Sequence, residues 1–387
     1  MNVLHLVSNH KLTGPVDPAI RLARALLERN VSSRIAVGRP APGKGPLDDP
    51  VRDRGLEPIT ELLLPKHRRL FVNRADVKRL CRMLEAEPAD VLHAHLDNAH
   101  GVAVRARHAL ARALRQPPRT RRPIVVRSLY DGEAPQPSIR YRWLYGRESD
   151  GVFVFGETVR RRLLEQYRLP PERVVKLDGA VDTDRYRPRE PGADLREQFG
   201  IGPSRVVVGI VARIQRHRRF ETLLEAMRKV FQACPEAVLL VLGRGTLARQ
   251  LAHDTAQRLG IGDRVVLPGY VGGDQYPKAL ACFDIKVYLV PGSDGTCRAA
   301  REAMACGIPL VVSRRGLLPE IVRDGVDGYV VDDTVETLAR TISQLVGDVE
   351  LRVRLGENAL QRAREDFSLR KQAEVVLEAY RRWLDAR

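Results

Sequence analysis

Cysteine is scarce and odd in number in this 387-residue chain: five residues (Cys81, Cys234, Cys282, Cys297 and Cys306) lie at spacings that match no metal knuckle. That pattern excludes a disulfide scaffold and reads as reduced, buried thiols in a cytoplasmic protein. Aromatic side chains make up only 5%, with no interleaved stacking platform and no nucleic-acid reader motif, so nucleic acid is not expected as a partner. No window approaches eighteen consecutive apolar residues, so no membrane-spanning helix is expected. Met1–Val7 has neither the basic start nor the apolar core of a secretory leader, so export is not expected either.

Positive charge, by contrast, is abundant. The net charge is +17, and it is lopsided: residues 1–180 hold 33 basic and 20 acidic side chains, the remainder 32 and 28. Such a field draws phosphates, anionic lipid headgroups or nucleic acid, and a solvated arginine-rich surface without a partner gives the same numbers. Hydrophobic residues at 44% and charged residues at 29% describe a globular chain, long enough for two domains.

Short apolar, β-branched runs alternate with helical patterns, the signature of parallel βαβ units. The expected strands of the first half are Asn2–Val7, Arg34–Gly38, Val91–Ala94, Ile124–Arg127, Val152–Phe155 and Val174–Leu177. Those of the second are Val206–Ala212, Val238–Gly243, Val265–Leu267, Ile285–Leu289, Pro309–Ser313 and Tyr329–Val331. Pro188, Pro191, Gly192, Gly200, Gly202 and Pro203 mark a break. The expected division is a domain over 1–183, a linker over 184–205 and a second domain over 206–367. An amphipathic helix over 368–387 is free to pack back on the first domain. The fold class is α/β: two doubly wound, Rossmann-like parallel sheets facing each other across a cleft.

Four segments could serve chemistry. Asn9–Pro15 follows the first strand, and Gly14 would let backbone approach a ligand at a helix start. Gly243–Ala248 matches Gly-x-Gly-x-x-Ala, but it follows the second strand of its half and lacks the acidic ribose partner of a nicotinamide site. Arg213–Arg219 carries four arginines directly after an apolar strand, where planar guanidinium forks could neutralise a diphosphate. Ser293–Pro309 reads as turn, helix, glycine cap and strand. There Asp294 and Glu302 stand eight residues apart along one side of the helix, and the amides of Gly295 and Thr296 lie at its start.

At these residues the chain resembles a family 4 glycosyltransferase of the GT-B fold. Glu302–Pro309 (EAMACGIP), Val208–Arg213, the turn Leu267–Val271, Asp150–Glu157 and Pro170–Pro188 follow the order of the family's motifs. The resemblance is densest from Val206 onward. It implies transfer, with retention, of a sugar from a nucleotide diphosphate sugar to a glycan or lipid-linked acceptor, as in cell-envelope polysaccharide synthesis, with no metal or other cofactor. It also implies site roles. Glu302 would hold the donor ribose, and Arg213 with Arg218 the diphosphate. Asp294 would hold the transferred sugar, beside the amides of Gly295 and Thr296. Gly243, Gly245 and Val271 would line the donor site, with Gly14 beneath it in the other domain.

Three positions depart from the family pattern. Asp294 stands where glutamate is usual, Arg218 where lysine is usual with Arg219 in place of the following glycine, and Tyr130 near the place of a reaction-centre histidine. Tyr130 and His95 are therefore acceptor or reaction-centre candidates. Lys66–Val72 and the basic helix Val104–Arg115 could lie on an anionic bilayer at the cytoplasmic face, or the helix could simply pack its apolar side on its own sheet. A catalytically silent nucleotide-sugar-binding protein and a nucleotide-sugar epimerase remain alternatives.

Overall fold

The structure is a computed structural model that describes every residue except 13, 42, 44, 114–122, 189–192, 292–296 and 387. Two units are present. The first comprises Met1–Asp178 with Leu369–Arg387, and the second Gly179–Gly292 with Cys297–Ser368.

The first unit carries β1 (Asn2–Val7), β2 (Ser32–Val37), β3 (Pro58–Ile59), β4 (Val91–Ala94), β5 (Ile124–Leu129), β6 (Gly151–Val154) and β7 (Val174–Lys176). They pair in the order β3-β2-β1-β4-β5-β6-β7. The second carries β8 (Val206–Val211), β9 (Ala237–Leu242), β10 (Val265–Gly269), β11 (Ile285–Tyr288), β12 (Leu310–Ser313) and β13 (Gly328–Val331), in the order β10-β9-β8-β11-β12-β13. Every ladder is parallel. Helices cover both faces, so strands such as β5 and β9 are buried at every residue, and β9 reads as an unbroken apolar run. In both sheets the order reverses at the central pair, β1 with β4 and β8 with β11. The carboxyl ends of such strands leave a crevice there.

Pro58–Ile59 is a seventh strand in the first sheet that the sequence did not suggest. Two residues carry no period. Residues 193–205 belong to the second unit and include the helix Ala193–Gln198. Arg196 donates to Cys282 O at 2.9 Å and to the Asp284 carboxylate at 3.0 Å, which ties this stretch to the start of β11.

The last helix, Leu369–Asp385, belongs to the first unit. Ala373, Val376, Leu377, Tyr380 and Trp383 pack with Val3, Val91, Val126 and Phe153. Trp383 fills the space over Gly151, where a Cβ would lie 2.3 Å from its ring, and its Nε1 donates to Glu172 O at 2.9 Å. Trp383→Ala is expected to cost the first unit about 3–5 kcal/mol by urea denaturation, because ring and hydrogen bond go together. An unchanged midpoint would show that the helix adds nothing to that core.

The basic helix runs over Asp97–Ala113, and residues 114 and 115 lie outside the described residues. Its apolar side, Val102, Ala103, Ala106 and Leu110, packs against Leu80, Leu84 and Leu92. Arg107 turns inward and donates to Asp150 at 2.6 Å and to Glu148 at 2.9 Å. Bilayer contact by this helix's apolar face is therefore corrected: the sheet already covers it.

Candidate functional site

The apolar strand β8 ends at Val211, and the chain leaves it through Ala212 and Arg213. Two glycines of the turn after β9 explain the packing there. A Cβ on Gly243 would sit 1.9 Å from Ala212 O, and one on Gly245 would sit 2.1 Å from Ile214 O. Glycine is needed because backbone meets backbone. Ile214 N donates to Arg244 O at 3.2 Å, and Gly243 N to Gly269 O at 2.8 Å. The turns after β8, β9 and β10 are thus laced together at the carboxyl edge of the sheet.

The arginines of Arg213–Arg219 divide by role. Arg213 is exposed and makes no hydrogen bond to the protein among the described residues. Arg218 is half-buried and donates from Nη1 to Val290 O at 2.7 Å, spanning from the exit of β8 to the exit of β11. Its Nε has no partner among the described residues. Arg219 has φ of 62°, the left-handed conformation that glycine adopts at no steric cost. Its side chain is committed to Asp333, donating to the carbonyl at 2.9 Å with Nε 3.0 Å from the carboxylate, which Arg315 shares. Arg219 therefore builds the turn.

Glu302 stands half-buried on the helix Arg298–Ala305, which follows β11. The Tyr276 hydroxyl donates to Glu302 Oε2 at 3.0 Å. Burial and the adjacent carboxylate hold that hydroxyl well above a tyrosine's ordinary range. Cys297, buried before this helix, has φ of 50°. Asp294, Gly295 and Thr296 lie outside the described residues. Val271 is half-buried in the turn after β10, next to the exposed Tyr270, over whose ring the Arg244 guanidinium sits at 4.7 Å. A cavity of about 500 Å³ opens nearby between Ile214, Gly243, Ala248, His253, Leu267 and Gly269.

In the first unit, Gly14 lies half-buried in the turn before the helix Val16–Leu27. His95 and Tyr130 are both buried, at 0% and 5% exposure, and bonded to each other (His95 Nδ1 to the Tyr130 hydroxyl, 2.8 Å). Neither presents a ring edge to solvent, so as contacts for an incoming acceptor both expectations are revised. They end a larger network that the sequence did not reveal. His5 Nδ1 lies 2.9 Å from His95 Nε2, and His93 bridges the hydroxyls of Tyr380 (2.5 Å) and Ser128 (2.8 Å). Burial holds the His5 imidazole down at about 3 and keeps His93 and His95 well below the usual value, the latter two with help from neighbouring positive charge.

The nitrogens of His5, His93 and His95 lie within 4.8 Å of one another. The rings, however, are stacked or tilted at 25–39° with centroids 4.1–5.3 Å apart. Imidazole lone pairs lie in the ring plane, so stacked rings converge poorly on one ion. The trio is a neutral hydrogen-bonded core.

Two family profiles cover most of the chain: "Glycosyltransferase Family 4" matches residues 19–185 and "Glycosyl transferases group 1" matches residues 193–362. The D-inositol 3-phosphate glycosyltransferase of Segniliparus rotundus is 31% identical over 263 residues, 66% of this chain and 57% of that one. The GDP-mannose-dependent alpha-(1-6)-phosphatidylinositol monomannoside mannosyltransferase of Mycolicibacterium smegmatis is 30% identical over 213 residues, 52% of this chain and 54% of that one. The chain thus spans little more than half the length of these relatives. Among solved structures, Anabaena HepE in complex with UDP superposes with a TM-score of 0.77 at 20% identity, covering 99% of this chain and 100% of that one. A glycosyltransferase of Rickettsia africae does so with a TM-score of 0.79 at 16% identity, covering 100% and 99%. These identities speak for the fold alone.

Proposed function

Because the chain belongs to the family 4 glycosyltransferases and has their two-domain GT-B fold, we propose that it moves a sugar from a nucleotide diphosphate sugar to an anionic acceptor, with retention and without a metal. The observation that carries this reading is Arg218, bonded to Val290 O across the point where the strand order reverses, with exposed Arg213 at the same edge. A departing nucleoside diphosphate develops negative charge. Fixed cations aimed at that charge lower the barrier in the place a divalent ion takes elsewhere. Glu302, steadied by Tyr276, is suited to accept from ribose hydroxyls. The neighbour that holds UDP and the relative named for GDP-mannose agree with this donor class.

Thermal-shift screening of UDP- and GDP-linked sugars tests the donor, since a ligand that binds only the folded chain raises its melting temperature. Absence of a shift with every nucleotide sugar would remove the assignment. Turnover that survives EDTA is the expected result for the metal-free mechanism.

The acceptor reading rests on a surface of the first unit. Burial, then the charges of Arg68 and Arg140, hold Arg105 below arginine's ordinary value, and the Arg105 and Arg140 guanidinium groups both reach the space over Gly101. Phe71 (80% exposed) and Ile139 (91%) stand in the segments that carry Arg68 and Arg140. Cations beside exposed apolar side chains suit an acceptor with a phosphate headgroup and a lipid tail, at the face of an anionic bilayer. Both relatives named above act on inositol phosphates or their lipids by name. Flotation with phosphatidylglycerol vesicles should carry the protein, and Phe71→Ser with Ile139→Ser should abolish this. Equal recovery with neutral vesicles would reject the bilayer.

A second reading, a silent nucleotide-sugar-binding protein, is favoured by Tyr130, whose hydroxyl is tied to His95. Donor binding without transfer or hydrolysis over a panel of phosphorylated acceptors would select it.

A further inference from the structure

Asp97 opens the helix Asp97–Ala113, just past β4 and beside the point where the strand order of the first sheet reverses. Its carboxylate is held from both sides. Arg127, on β5 and 1% exposed, donates from Nη2 to Asp97 Oδ1 at 3.0 Å, and the Tyr141 hydroxyl donates to Oδ2 at 2.7 Å. Compensation of a buried guanidinium accounts for the first bond. It does not use up the carboxylate, which offers about four lone-pair sites and keeps 45% of its side-chain surface exposed. The remaining acceptor positions therefore face outward from a fixed group.

One turn along the same face of the helix stands Gly101. Glycine inside a helix is unfavourable relative to alanine, and no neighbouring backbone asks for it here. Beyond the helix's own backbone, a Cβ at this position would meet only Arg105 Nη1 at 3.4 Å and Arg140 Nη2 at 4.0 Å. Arg105 Nη1 donates to Gly101 O at 3.4 Å. The Arg140 guanidinium lies 5.5 Å from the centroid of the Tyr141 ring, whose hydroxyl holds Asp97. Neither arginine pairs with a carboxylate among the described residues. The two guanidinium groups thus converge over bare backbone, an arrangement that like charges resist until an anion joins them.

Given the anionic-acceptor reading above, on which this rests, we infer that Asp97, Arg105 and Arg140 form one subsite for a phosphorylated polyol. The two guanidinium groups take the phosphate, and the Asp97 carboxylate accepts from a hydroxyl of the same molecule. Asp97 and Gly101 are about 6 Å apart along the helix axis, a span that a six-membered ring with its substituents bridges. A bare phosphate would satisfy the arginines and leave the carboxylate unused. Opposite charges at the two ends therefore select the orientation of the ligand as well as its composition. Tyr141 joins the ends: its hydroxyl fixes the carboxylate and its ring carries Arg140.

The test is calorimetric titration of the full chain with myo-inositol 1-phosphate, myo-inositol and inorganic phosphate. Wild type should bind the phosphate ester more tightly than either fragment. Asp97→Asn, which keeps the size and removes the charge, should weaken the ester about 10-fold, the scale of one hydrogen bond to a charged group, and leave inorganic phosphate unaffected. Arg140→Gln, at an exposed position, should weaken ester and inorganic phosphate alike, by about 10-fold. Gly101→Leu should do the same by pushing both guanidinium groups aside, with the melting temperature kept, because leucine is the better helix former. Should Asp97→Asn or Gly101→Leu fail to fold, Arg140→Gln decides: undiminished affinity for the ester overturns the subsite. Phosphatidylinositol vesicles distinguish the sources of this chemistry. Flotation that the soluble ester competes away assigns a lipid headgroup. Saturable binding of the ester, with no recovery on those vesicles beyond that on phosphatidylglycerol, assigns a free one. Equal wild-type affinity for ester and inorganic phosphate, or an ester affinity blind to Asp97→Asn, would overturn the assignment and leave the anionic-acceptor reading in place. A wild-type protein that binds neither phosphate compound would remove both.

Discussion

Arg213→Ala should lower kcat/KM for the nucleotide sugar about 10²–10³-fold while leaving the melting temperature unchanged. The size follows from removing one fixed cation from charge that develops on the leaving diphosphate, a loss of about 3 kcal/mol. The silence in stability follows from the position of the side chain, which is exposed and makes no hydrogen bond to the protein among the described residues. Arg218→Ala should differ in kind. Its Nη1 bond to Val290 O connects the exits of β8 and β11, so activity and melting temperature should fall together. Arg213→Lys should recover only part of the loss, since a point charge cannot reproduce a bidentate fork. Steady-state kinetics beside a thermal melt separate these outcomes. Near wild-type turnover in Arg213→Ala would dissolve the proposed diphosphate site.

Mild acid should unfold the first unit while the second persists. Four histidines of the first unit are buried: His5 and His100, each held at about 3 mainly by burial, and His93 and His95, held well below their usual value by the same cause. Their folded-state values lie below the unfolded value of about 6.5. The unfolded chain therefore binds more protons as pH falls below that point. The stability they contribute is fully present above about pH 6.5 and drains away as pH drops toward their folded values. Each proton taken up on unfolding costs about 1.4 kcal/mol per pH unit, so four come to about 5.5 kcal/mol per unit. Two such units, about 11 kcal/mol, remove all or most of the about 5–15 kcal/mol that holds a domain folded. In the second unit the two histidines, His217 and His253, are exposed, so no buried imidazole awaits a proton there. Calorimetry at pH 7.5, 6.0 and 5.0 should show one transition moving steeply downward and the other nearly still. Two transitions that move together would refute the assignment to this buried cluster.

The strands were legible because a parallel sheet covered on both faces needs continuous apolar runs, and Val206–Ala212 or Val238–Gly243 can hardly be anything else. Pro58–Ile59 escaped because two residues have no period to read. The basic turn and Glu302 stood out by residue type, but their division of labour did not. Nothing in the string Arg216-His217-Arg218-Arg219 says that Arg218 reaches Val290 or that Arg219 takes a left-handed backbone against Asp333. The familiar glycine at that place and the arginine found here answer the same backbone demand. Tyr130 looked like a substitute for a reaction-centre histidine. Its hydroxyl instead closes a network through His95 and His5, with His5 on β1, His95 just past β4 and Tyr130 just past β5.

Local chemistry written in the chain was sufficient for the alternation of strands and helices and the two-domain plan, and it singled out the segments proposed here for a diphosphate, because backbone period and side-chain type are properties of neighbours in sequence. Which groups are charged, and for whom, was settled by folding. Lys286 reads as an ordinary solvent-facing lysine until the layers close over β11 and leave it 0% exposed, its pKa pushed down by burial. Burial and the distance between groups far apart in the chain fix the energy of a charge, and neither exists before the layers pack.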